Sequence, residues 1–349
     1  MNSIQKPDCA WSLKDLAEVP QNGLTVMSTF ACGGGSSMGY KRAGCTIAAA
    51  NDIDPEMAWH YQHNLHPPTY LLCPIGDLLT RDLPSELFNL DILDGSPPCS
   101  TFSMAGSRED AWGQKKHFRE GQASQVLSDL FFDYLNLVDR LKPRVAIAEN
   151  VKGMILGNAK GYTKLVMQRF KEIGYRPQLF LINAADCGVP QRRERVFFCA
   201  VRDDIKAKPL ELKPTHRWIS AGEATADLGD NTGSDLSLSD QTERLWQATT
   251  PGETLADGSV RVTGKYSRFN EYKLNAMAPA VSLSAQAANF YHWHHPRRLG
   301  FAEWKRLGSF PDDYHAKTDK IGKYMIGMSV PPKMTEQVAR AVIQQWLQP

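Results

Sequence analysis

The stretch Gly23-Leu-Thr-Val-Met-Ser-Thr-Phe-Ala-Cys-Gly-Gly-Gly-Ser-Ser-Met-Gly39 decides the fold. Residues 23–30 combine β-branched and apolar side chains, which is typical of a strand, and a helix is predicted after the glycines. Three successive glycines, Gly33 to Gly35, let the backbone approach a ligand closely, and the first N–H groups of the helix are free to bind it. The stretch therefore predicts a strand, a ligand-binding turn and a helix in succession.

A second predicted strand, Thr46 to Asn51, ends in an acid, Asp52. An acid at this place is where a Rossmann-like sheet binds the hydroxyl pair of a ribose. Because the glycine spacing is not G-x-G-x-x-G, a dinucleotide is disfavoured and a ligand with a single adenosine is preferred. Gly76-Asp77 follows another short apolar segment and is a candidate third contact, with an ordinary Gly-Asp turn as the alternative.

Short apolar strands alternate with helical patterns through the first 200 residues. Strands are predicted at 90–93, 144–148 and 178–183, with helices at 126–141 and 162–173 between them. This alternation predicts an α/β fold with a Rossmann-like, doubly wound and mostly parallel sheet. Side chains at the carboxyl ends of such strands meet in one crevice.

The segment Asp91-Ile-Leu-Asp-Gly-Ser-Pro-Pro-Cys-Ser-Thr-Phe-Ser103 presents a single cysteine, Cys99, after one of these strands. Pro97 and Pro98 restrict φ and lack an N–H, so the backbone there is stiff and continues neither a strand nor a helix. Such a turn suits a nucleophile, although an isolated Pro-Cys is more often an incidental buried cysteine. Glu149 follows the 144–148 strand and should face the same crevice, which favours the nucleophile.

Two arginines and one polar loop complete the candidate crevice. Arg193 and Arg195 lie two residues apart, so in a strand they share a face and indicate a buried anion or carbonyl partner. Ordinary surface charge is the alternative. Residues 104–125 are polar, contain three glycines and directly follow Cys99, which predicts a loop that acts as a lid.

Composition limits the protein class. At 349 residues the chain is long enough for two domains, and 42% hydrophobic and 22% charged residues are typical of a globular protein. A net charge of +2 does not by itself indicate nucleic-acid binding. Seven cysteines without a C-x-x-C spacing disfavour disulfides and structural zinc. With no membrane-length apolar run and no signal-peptide pattern, an intracellular protein is expected.

Residues 201–296 differ from the rest and are predicted to form a small domain, with 1–200 plus 297–349 forming the other. Residues 219–258 contain eight acids and one base, whereas residues 259–298 contain six bases and one acid. The basic half includes Tyr266 and Phe269, a mixture typical of nucleic-acid surfaces. Its histidine cluster lacks carboxylate or cysteine partners, so a metal site is disfavoured.

In this order, the motifs resemble those of the DNA (cytosine-5) methyltransferase family, which is a class I S-adenosylmethionine-dependent family, across nearly the whole chain. The matching segments are Phe30-x-Cys-x-Gly-Gly-x-x-x-Gly39, Asp52-Ile-Asp54, Gly76-Asp77, Pro97-Pro98-Cys99-Ser-x-Phe102-Ser103, Glu149-Asn150-Val151, Gln191-x-Arg193-x-Arg195, Arg298 to Pro311 and Gly327-x-Ser-Val-Pro-Pro332. No single motif is decisive, but the ordered set is highly specific.

The resemblance implies S-adenosyl-L-methionine as the cofactor, no metal, and a set of site residues. It also implies that 1–200 plus 297–349 form the catalytic, cofactor-binding domain and that 201–296 form a small target-recognition domain. The catalytic residues that it implies are Cys99, Glu149, Arg193 and Arg195. The cofactor-binding residues that it implies are Phe30, Ala31, Gly33, Gly34, Gly35, Asp52, Ile53, Asp77, Leu78, Pro97, Met328 and Ser329. The expected DNA contacts are Ser103, Arg261, Lys265, Arg268 and Arg297.

The resemblance also implies a reaction. C5 of cytosine is a poor nucleophile, and a thiolate that adds to C6 activates it. Cys99 would supply the thiolate, Arg195 would bind O2 of the base, and Glu149 would bind N3 and N4 and hold a proton there. A base inside double-stranded DNA cannot reach such a pocket, so the cytosine is expected to flip out of the duplex before C5 is methylated.

Three residues depart from the family pattern. Ser28 replaces the usual acid, Cys32 replaces a glycine, and Met328 replaces the usual asparagine, so cofactor affinity could differ. These departures leave two alternatives open, a non-catalytic DNA-binding paralogue and an enzyme that transfers a group other than methyl. An RNA cytosine-C5 methyltransferase on a similar scaffold is a third.

The expected partner is double-stranded DNA, with no membrane partner. A monomer in the cytoplasm is expected, associated with the nucleoid if the source is a bacterium or a phage. A cognate restriction endonuclease is a further candidate partner that the sequence neither demands nor excludes.

Overall fold

The structure of the chain is a computed structural model that describes residues 7–98, 115–116, 125–126, 130–157, 159–229, 236–286 and 289–348. Cys99, Ser103 and most of the predicted 104–125 lid lie outside the described residues. The strands are β1 (Thr25–Thr29), β2 (Thr46–Asp52), β3 (Tyr70–Leu72), β4 (Ile92–Gly95), β5 (Lys115–Lys116), β6 (Gln125–Val126), β7 (Val145–Val151), β8 (Tyr175–Asn183), β9 (Gln191–Arg192), β10 (Glu194–Arg202), β11 (Tyr272–Lys273), β12 (Ala280–Val281) and β13 (Phe290–Tyr291). The α-helices are α1 (Leu13–Ala17), α2 (Gly35–Arg42), α3 (Pro55–Leu65), α4 (Leu130–Leu141), α5 (Ala159–Glu172), α6 (Ala221–Thr225), α7 (Asp240–Gln247), α8 (Leu255–Thr263), α9 (Phe301–Leu307), α10 (Asp319–Met328) and α11 (Pro332–Val342).

The chain divides into two compact units. The large unit consists of Leu16–Asn183, Glu194–Pro214 and Met334–Pro349, and the small unit consists of Met1–Asp15, Ala184–Arg193 and Thr215–Lys333. The segment 297–333 therefore groups with the small unit, and 201–214 groups with the large one. The assignment of a catalytic role to 1–200 plus 297–349 and of DNA recognition to 201–296 stays a prediction.

The large unit contains a seven-stranded sheet with the order β3-β2-β1-β4-β7-β10-β8. Strands β3, β2, β1, β4 and β7 run parallel, and β10 pairs antiparallel with both β7 and β8. The direction of winding reverses between β1 and β4, which is where open α/β sheets bind their ligands. The predicted Rossmann-like, doubly wound and mostly parallel sheet is confirmed.

Successive residues of a strand point to opposite faces of the sheet, and the two faces here differ in character. One face carries apolar residues such as Met27 and Leu93, which belong to the same buried core as Tyr134 of α4. The residue that directly follows each of these, Ser28 after Met27 and Asp94 after Leu93, points to the other face. At the edge where the parallel strands end, that second face carries Ser28, Asp94, Glu149 and Arg195.

Local sequence explains why the first two helices begin where they do. At Gly34, the residue that precedes α2, φ is +84° and an added Cβ would lie 2.2 Å from a methyl group of Leu65, so only glycine allows α2 to pack against α3. Helix α3 begins after Asp54, whose carboxylate accepts a hydrogen bond from the N–H of Glu56, and Pro55 occupies the first helical position.

Among the element boundaries that differ from the sequence prediction, two change the position of charged residues near the candidate site. The fourth strand covers Ile92–Gly95 rather than residues 90–93, so Asp94 lies inside it. Arg193 falls between β9 and β10, so Arg193 and Arg195 do not share one strand as predicted. The reason is that the sheet strand begins only at Glu194, while residues 191–192 pair with β12.

The small unit has its own core around Trp246, Leu255 and Tyr291. Lys273 lies inside it, because its Nζ sits 3.6 Å from the ring centroid of Trp246 and donates to the carbonyls of Trp246 and Thr249. Burial lowers the pKa of Lys273. One of the six bases counted for a nucleic-acid surface is therefore a core residue.

Candidate active site

Four parallel strands end at one edge of the large-unit sheet and bring the predicted site together. Phe30 follows β1, Asp52 ends β2, Pro97 follows β4, and Glu149 lies near the end of β7. Arg195 joins them because β10 begins at this edge, where Arg195 pairs with Val151. The predicted convergence of these residues in one crevice follows from parallel strand topology.

The turn after β1 is held against the tip of β2. Asp52 accepts one hydrogen bond from the N–H of Cys32 at 2.7 Å and another from the N–H of Asp54 at 2.9 Å. Phe30 and Cys32 have φ values of 52° and 46°, which are unusual for residues with a side chain and mark a constrained turn. Burial raises the pKa of Asp52. Asp52 therefore holds the turn in place, and its carboxylate oxygens retain lone pairs that can accept hydrogen bonds from a ligand.

One buried hydroxyl near this turn has no hydrogen-bond partner. The Oη of Tyr70 is inaccessible to solvent and makes no hydrogen bond, although the ring packs 5.3 Å from that of Tyr61. Burial first, and then the charge of Asp52, raise the pKa of Tyr70. An unsatisfied buried hydroxyl is costly, so the residues around Asp52 fit a ligand that brings hydroxyl or amine groups.

The other predicted cofactor residues vary in exposure. Leu78 is fully buried in the apolar core, and its main-chain carbonyl accepts a hydrogen bond from the guanidinium of Arg140. Asp77, by contrast, is exposed on a short 3₁₀-helix, Ile75–Leu79. The remaining ones in the large unit are Ala31 (buried), Gly33 (buried), Gly34 (buried), Gly35 (buried), Ile53 (half-buried) and Pro97 (buried).

Glu149 and Arg195 form an ion pair at the sheet edge. The Nε of Arg195 lies 3.0 Å from Oε1 of Glu149, and both side chains are largely buried. Burial lowers the pKa of Arg195, and the charge of Glu149 opposes this effect. A carboxyl and a guanidinium held side by side present hydrogen-bond acceptors and donors to the same ligand.

Asn150 connects this pair to the turn before Cys99. Its side-chain amide donates a buried hydrogen bond to the carbonyl of Pro97 at 3.0 Å, and its Oδ1 accepts from the N–H of Val151. Glu149 and Asn150 are successive residues of β7, so their side chains point to opposite faces of the sheet. Glu149 faces the candidate crevice, and Asn150 supports the Pro97-Pro98 turn. Cys99 itself lies outside the described residues, and its role stays a prediction.

Two of the described cysteines are poor nucleophiles. Burial raises the pKa of Cys45 to about 11 and that of Cys187 to about 12, so both thiols stay protonated at neutral pH. None of the six cysteines in the described ranges is in a disulfide.

Three predicted site residues lie in the small unit. Arg193 is buried and donates to the carbonyls of Leu283 at 2.8 Å and Gly327 at 3.1 Å, and its catalytic role stays a prediction. Met328 is 53% exposed at the end of α10. Ser329 is buried, and its Oγ has no hydrogen-bond partner.

The predicted DNA contacts differ in availability. Arg297 is 5% exposed and both of its terminal nitrogens bind Glu303 at 2.9 Å, so the structure does not support it as a DNA contact. Arg261 is held by two bonds to Glu253, and Arg268 lies 3.4 Å from Glu271. Sequence counting missed these pairings, because it cannot show which acid folds back onto which base.

The histidine cluster has a structural role. Nδ1 of His292 accepts hydrogen bonds from the N–H groups of His294 and His295, both at 3.0 Å, and burial lowers the pKa of His292 to about 3. In the part of the chain that the structure describes, no group of three or more His, Cys, Asp and Glu residues is arranged to hold a metal. Within the same part, no helix has the length and apolarity needed to cross a bilayer.

Sequence reasoning missed one buried carboxylate at this edge. Asp94 is 2% exposed and accepts hydrogen bonds from Oγ of Ser28 at 2.9 Å and from the hydroxyl of Tyr40 at 3.0 Å. Burial raises the pKa of Asp94 to about 7. The signal was present in the sequence, because an acid that directly follows Ile92-Leu93 in an apolar strand must be buried with it.

A family model described as C-5 cytosine-specific DNA methylase matches residues 24–344. The chain belongs to this family. The recognition made from the ordered motifs is confirmed, and so is the enzyme class, DNA (cytosine-5-)-methyltransferase.

Bacterial relatives match this cytosine-5 DNA methylase over most of its length. The type II methyltransferase M.NgoFVII of Neisseria gonorrhoeae is 28% identical, with 92% of this chain and 87% of the relative covered. The type II methyltransferase M.FnuDI of Fusobacterium nucleatum is 25% identical, with 91% and 94% covered.

Solved structures show the same fold. A structure described as a DNA modification methyltransferase encoded within a prophage of E. coli superposes with a TM-score of 0.72 at 20% identity, covering 93% of this chain and 99% of that one. A DNMT2 variant from Spodoptera frugiperda superposes with a TM-score of 0.63 at 16% identity, covering 92% and 100%.

Proposed function

We propose that this cytosine-5 DNA methylase transfers a methyl group from S-adenosyl-L-methionine to C5 of a cytosine in duplex DNA, through a covalent bond between Cys99 and C6 of a flipped base. The observation that carries the proposal is the buried Glu149–Arg195 pair, whose neighbour Asn150 holds the turn that leads to Cys99. A guanidinium and a carboxyl side by side match the O2, N3 and N4 edge of cytosine.

Each residue has a separate task in this proposal. The thiolate of Cys99 adds to C6, which places electron density on C5 and negative charge on the ring. Arg195 donates to O2 and stabilises that charge, and the Glu149 carboxyl gives a proton to N3 as the charge develops. After C5 is alkylated, a solvent water acting as base removes the C5 proton, the thiolate leaves C6, and the proton on N3 returns to Glu149. The cofactor, when bound, supplies the methyl group.

The groups around the first turn fit S-adenosyl-L-methionine. The carboxylate of Asp52 would accept from the ribose hydroxyls, and the unsatisfied Oη of Tyr70 would gain a partner in the same region. Phe30 and Ile53 would contact the adenine.

Replacement of Asp52 by asparagine is expected to weaken S-adenosyl-L-methionine binding by about 10- to 100-fold, because a hydrogen bond to a charged acceptor becomes a neutral one. Isothermal titration of the full chain measures the effect. Asp91→Asn is the matched control, since Asp91 lies at the opposite end of the sheet and pairs with Arg144. Equal affinities for wild type and Asp52→Asn would exclude Asp52 from the cofactor site.

The exposed surface after α8 is the proposed DNA contact of the small unit. Tyr266 and Phe269 are 69% and 57% exposed, and Lys265 between α8 and these rings is exposed as well. Large exposed aromatic side chains next to a base are typical of surfaces that stack on nucleotides. Arg261 and Arg268 flank this surface but carry acidic partners, which reduces their contribution.

The double variant Tyr266→Ala/Phe269→Ala is expected to weaken duplex binding by about tenfold or more, because the Tyr266 hydroxyl would lose a hydrogen bond to a charged phosphate, which contributes roughly 1.5–3 kcal/mol. Fluorescence anisotropy at constant salt measures the dissociation constant. Met277→Ala is the control, because Met277 is 86% exposed in the same unit and has no basic neighbour in sequence. A loss of affinity in the control that equals the loss in the double variant would contradict this placement.

The proposed substrate, duplex DNA, also leads to proposals for the location, the oligomeric state and a partner of the protein. The cytoplasm is the proposed location, on the nucleoid in a bacterial cell, and a monomer is the proposed state because one chain carries every proposed site residue. The relatives are named type II methyltransferases. On that basis we propose a restriction endonuclease with the same recognition sequence as a partner.

The proposed function is tested with the purified full chain, S-adenosyl-L-methionine and DNA duplexes. Mass spectrometry of the nucleosides is expected to show 5-methylcytosine, and a duplex with 5-fluorocytosine is expected to form a covalent complex. Binding of DNA and cofactor without 5-methylcytosine and without the covalent complex would overturn the proposal. Methylation of a transfer RNA in place of duplex DNA would assign the substrate to RNA instead.

A further inference from the structure

Helix α5 begins beside the ligand edge of the large-unit sheet, which is the edge where the parallel strands end. Strand β7 reaches this edge at Val151, which pairs with Arg195. A short 3₁₀-helix, Lys152–Ile155, follows, and Oγ1 of Thr163 donates a buried hydrogen bond to the carbonyl of Met154 at 2.6 Å. The first two turns of α5 are therefore held close to the end of β7.

The last turn of α5 lies at the opposite edge of the same sheet. Strand β8 begins at Tyr175, shortly after the helix ends, and Tyr175 pairs with Arg202 at the far end of β10. The 14 residues of α5 span about 21 Å, which covers the distance between the two edges. The two ends of α5 therefore lie in different surroundings, and only the first end is near the candidate active site.

The first two turns of α5 carry positive charge without any acid. Lys160 and Lys164 are exposed and lie four residues apart, so they are neighbours on the solvent side of the helix. The opposite side is buried through residues such as Thr163 and Val166. Glu172, the last residue of α5, is the one acid in the sequence of the helix. Lys160 and Lys164 are called the α5 lysine pair below.

Acids pair with the neighbouring bases but not with the α5 lysine pair. Lys152 lies 2.8 Å from Glu194, and Arg169, near the last turn of α5, lies 3.6 Å from Asp139. In the part of the chain that the structure describes, no acid forms an ion pair with either member of the α5 lysine pair. Their charges are therefore available to an anion from solution.

The helix dipole acts in the same direction as these two charges. The N-terminus of a helix carries a partial positive charge, so acids stabilise the first turn and bases destabilise it. Helix α5 has no acid in its first turn, and Lys160 is its second residue. An added Cβ at Gly161 would have no atom within 4 Å, so this part of the surface is open. An anion bound here would offset a repulsion that the sequence leaves uncompensated.

We propose that the α5 lysine pair is a DNA-backbone contact of the large unit, which binds phosphates of the duplex that delivers the flipped cytosine. This inference rests on the proposed duplex substrate. A duplex that brings a base to the ligand edge must pass its backbone over the surface around that edge. Neighbours four residues apart on a helix lie about 5–6 Å from each other, so each ammonium group can meet its own phosphate on one strand. Phosphates carry no sequence information, so this contact adds affinity and orientation without reading bases.

The test compares Lys160→Gln/Lys164→Gln with Lys206→Gln/Lys208→Gln in the full chain. Fluorescence anisotropy measures the dissociation constant for a duplex at several salt concentrations. The first variant should give a salt dependence, log affinity against log salt concentration, that is shallower by about 1.8, because each phosphate contact contributes about 0.9. The loss of affinity should be the same for duplexes of unrelated sequence. The control should keep the wild-type slope, because its two exposed lysines follow Arg202 at the opposite edge of the sheet.

A charge-preserving variant separates the effect of charge from an effect on the fold. Lys160→Arg/Lys164→Arg keeps both positive charges and should keep the wild-type slope, since a guanidinium also binds phosphate. A wild-type slope in the glutamine variant would overturn the proposal. An arginine variant with a slope as shallow as that of the glutamine variant would overturn it as well.

Acetylation of the wild-type chain tests the contact without any substitution. Acetic anhydride modifies exposed lysines, and mass spectrometry of the peptides measures the extent at each position. A saturating duplex should protect Lys160 and Lys164, whereas Lys206 and Lys208 should react equally with and without DNA. Equal acetylation of the α5 lysine pair in both conditions would overturn the proposal.

These measurements also distinguish this inference from the proposed function. A wild-type chain that binds no duplex even at low salt would overturn both the duplex substrate and the backbone contact. A wild-type chain that methylates the duplex, but shows neither protection of the α5 lysine pair nor a change of slope in the glutamine variant, would overturn the backbone contact alone.

Discussion

Cys99→Ala is expected to abolish methyl transfer, with a loss of roughly 10⁴-fold or more, because removal of a nucleophile leaves only the contribution of binding. The same variant should form no covalent complex with a duplex that contains 5-fluorocytosine. Binding of S-adenosyl-L-methionine should persist, since the groups proposed to hold the ribose and adenine lie on β1, β2 and the turns after them. Denaturing gel electrophoresis and nucleoside mass spectrometry measure the two losses.

Cys73→Ala is the control for this prediction. The thiol of Cys73 lies beside β3, is partly exposed, and accepts a hydrogen bond from Arg81. Burial raises its pKa, so it is a poor nucleophile at neutral pH. The control should retain activity and the covalent complex. A Cys99→Ala variant that still forms the complex would mean that another thiol performs the attack.

Glu149→Gln is expected to lower the rate of methyl transfer by about 10²- to 10⁴-fold, which is the usual contribution of a positioned general acid. Glutamine keeps the shape of the side chain and can still bind the base, but it has no acidic proton to give to N3. DNA affinity should therefore change little while the single-turnover rate falls. The measurement is single-turnover methylation together with the dissociation constant for the same duplex.

Glu194→Gln is the matched control for the second prediction. Glu194 is exposed at the start of β10 and pairs with Lys152 at 2.8 Å, so its loss should leave the rate within about twofold of wild type, as for most surface pairs. If Glu149→Gln retained the wild-type rate, N3 would have to obtain its proton from another group. A large fall in DNA affinity at an unchanged single-turnover rate would assign Glu149 to binding instead.

Much of the large unit could be predicted from sequence because its signals are local. Glycines 33–35 and the acid Asp52 lie in consecutive elements, and the alternation of apolar strands with helices fixes a parallel sheet and its ligand edge. Glu149 and Cys99 were assigned to one crevice on the same topological ground. The structure places Glu149 at that edge and adds Arg195 as its partner at 3.0 Å.

Contacts between distant segments could not be predicted from sequence. Arg193 and Arg195 look equivalent in a two-residue repeat, yet the partners of Arg193 lie 90 and 134 residues away in sequence, at Leu283 and Gly327. Arg297 and Lys273 were counted as surface bases, but one binds Glu303 and the other binds main-chain carbonyls in a core. Charge counts contain no information about such pairings.

The anchor formed by Arg193 has a consequence for how this protein can evolve. Its guanidinium binds the carbonyl oxygens of Leu283 and Gly327, and a carbonyl oxygen is present whatever the side chain at that position. Substitutions in the segments that it holds therefore leave the attachment intact as long as the backbone path is kept. Exposed side chains in residues 215–333, which include the surface proposed to read DNA, can therefore change without loss of this attachment. If that surface reads DNA as proposed, its target sequence can change while the Ala184–Arg193 segment and its two contacts stay the same.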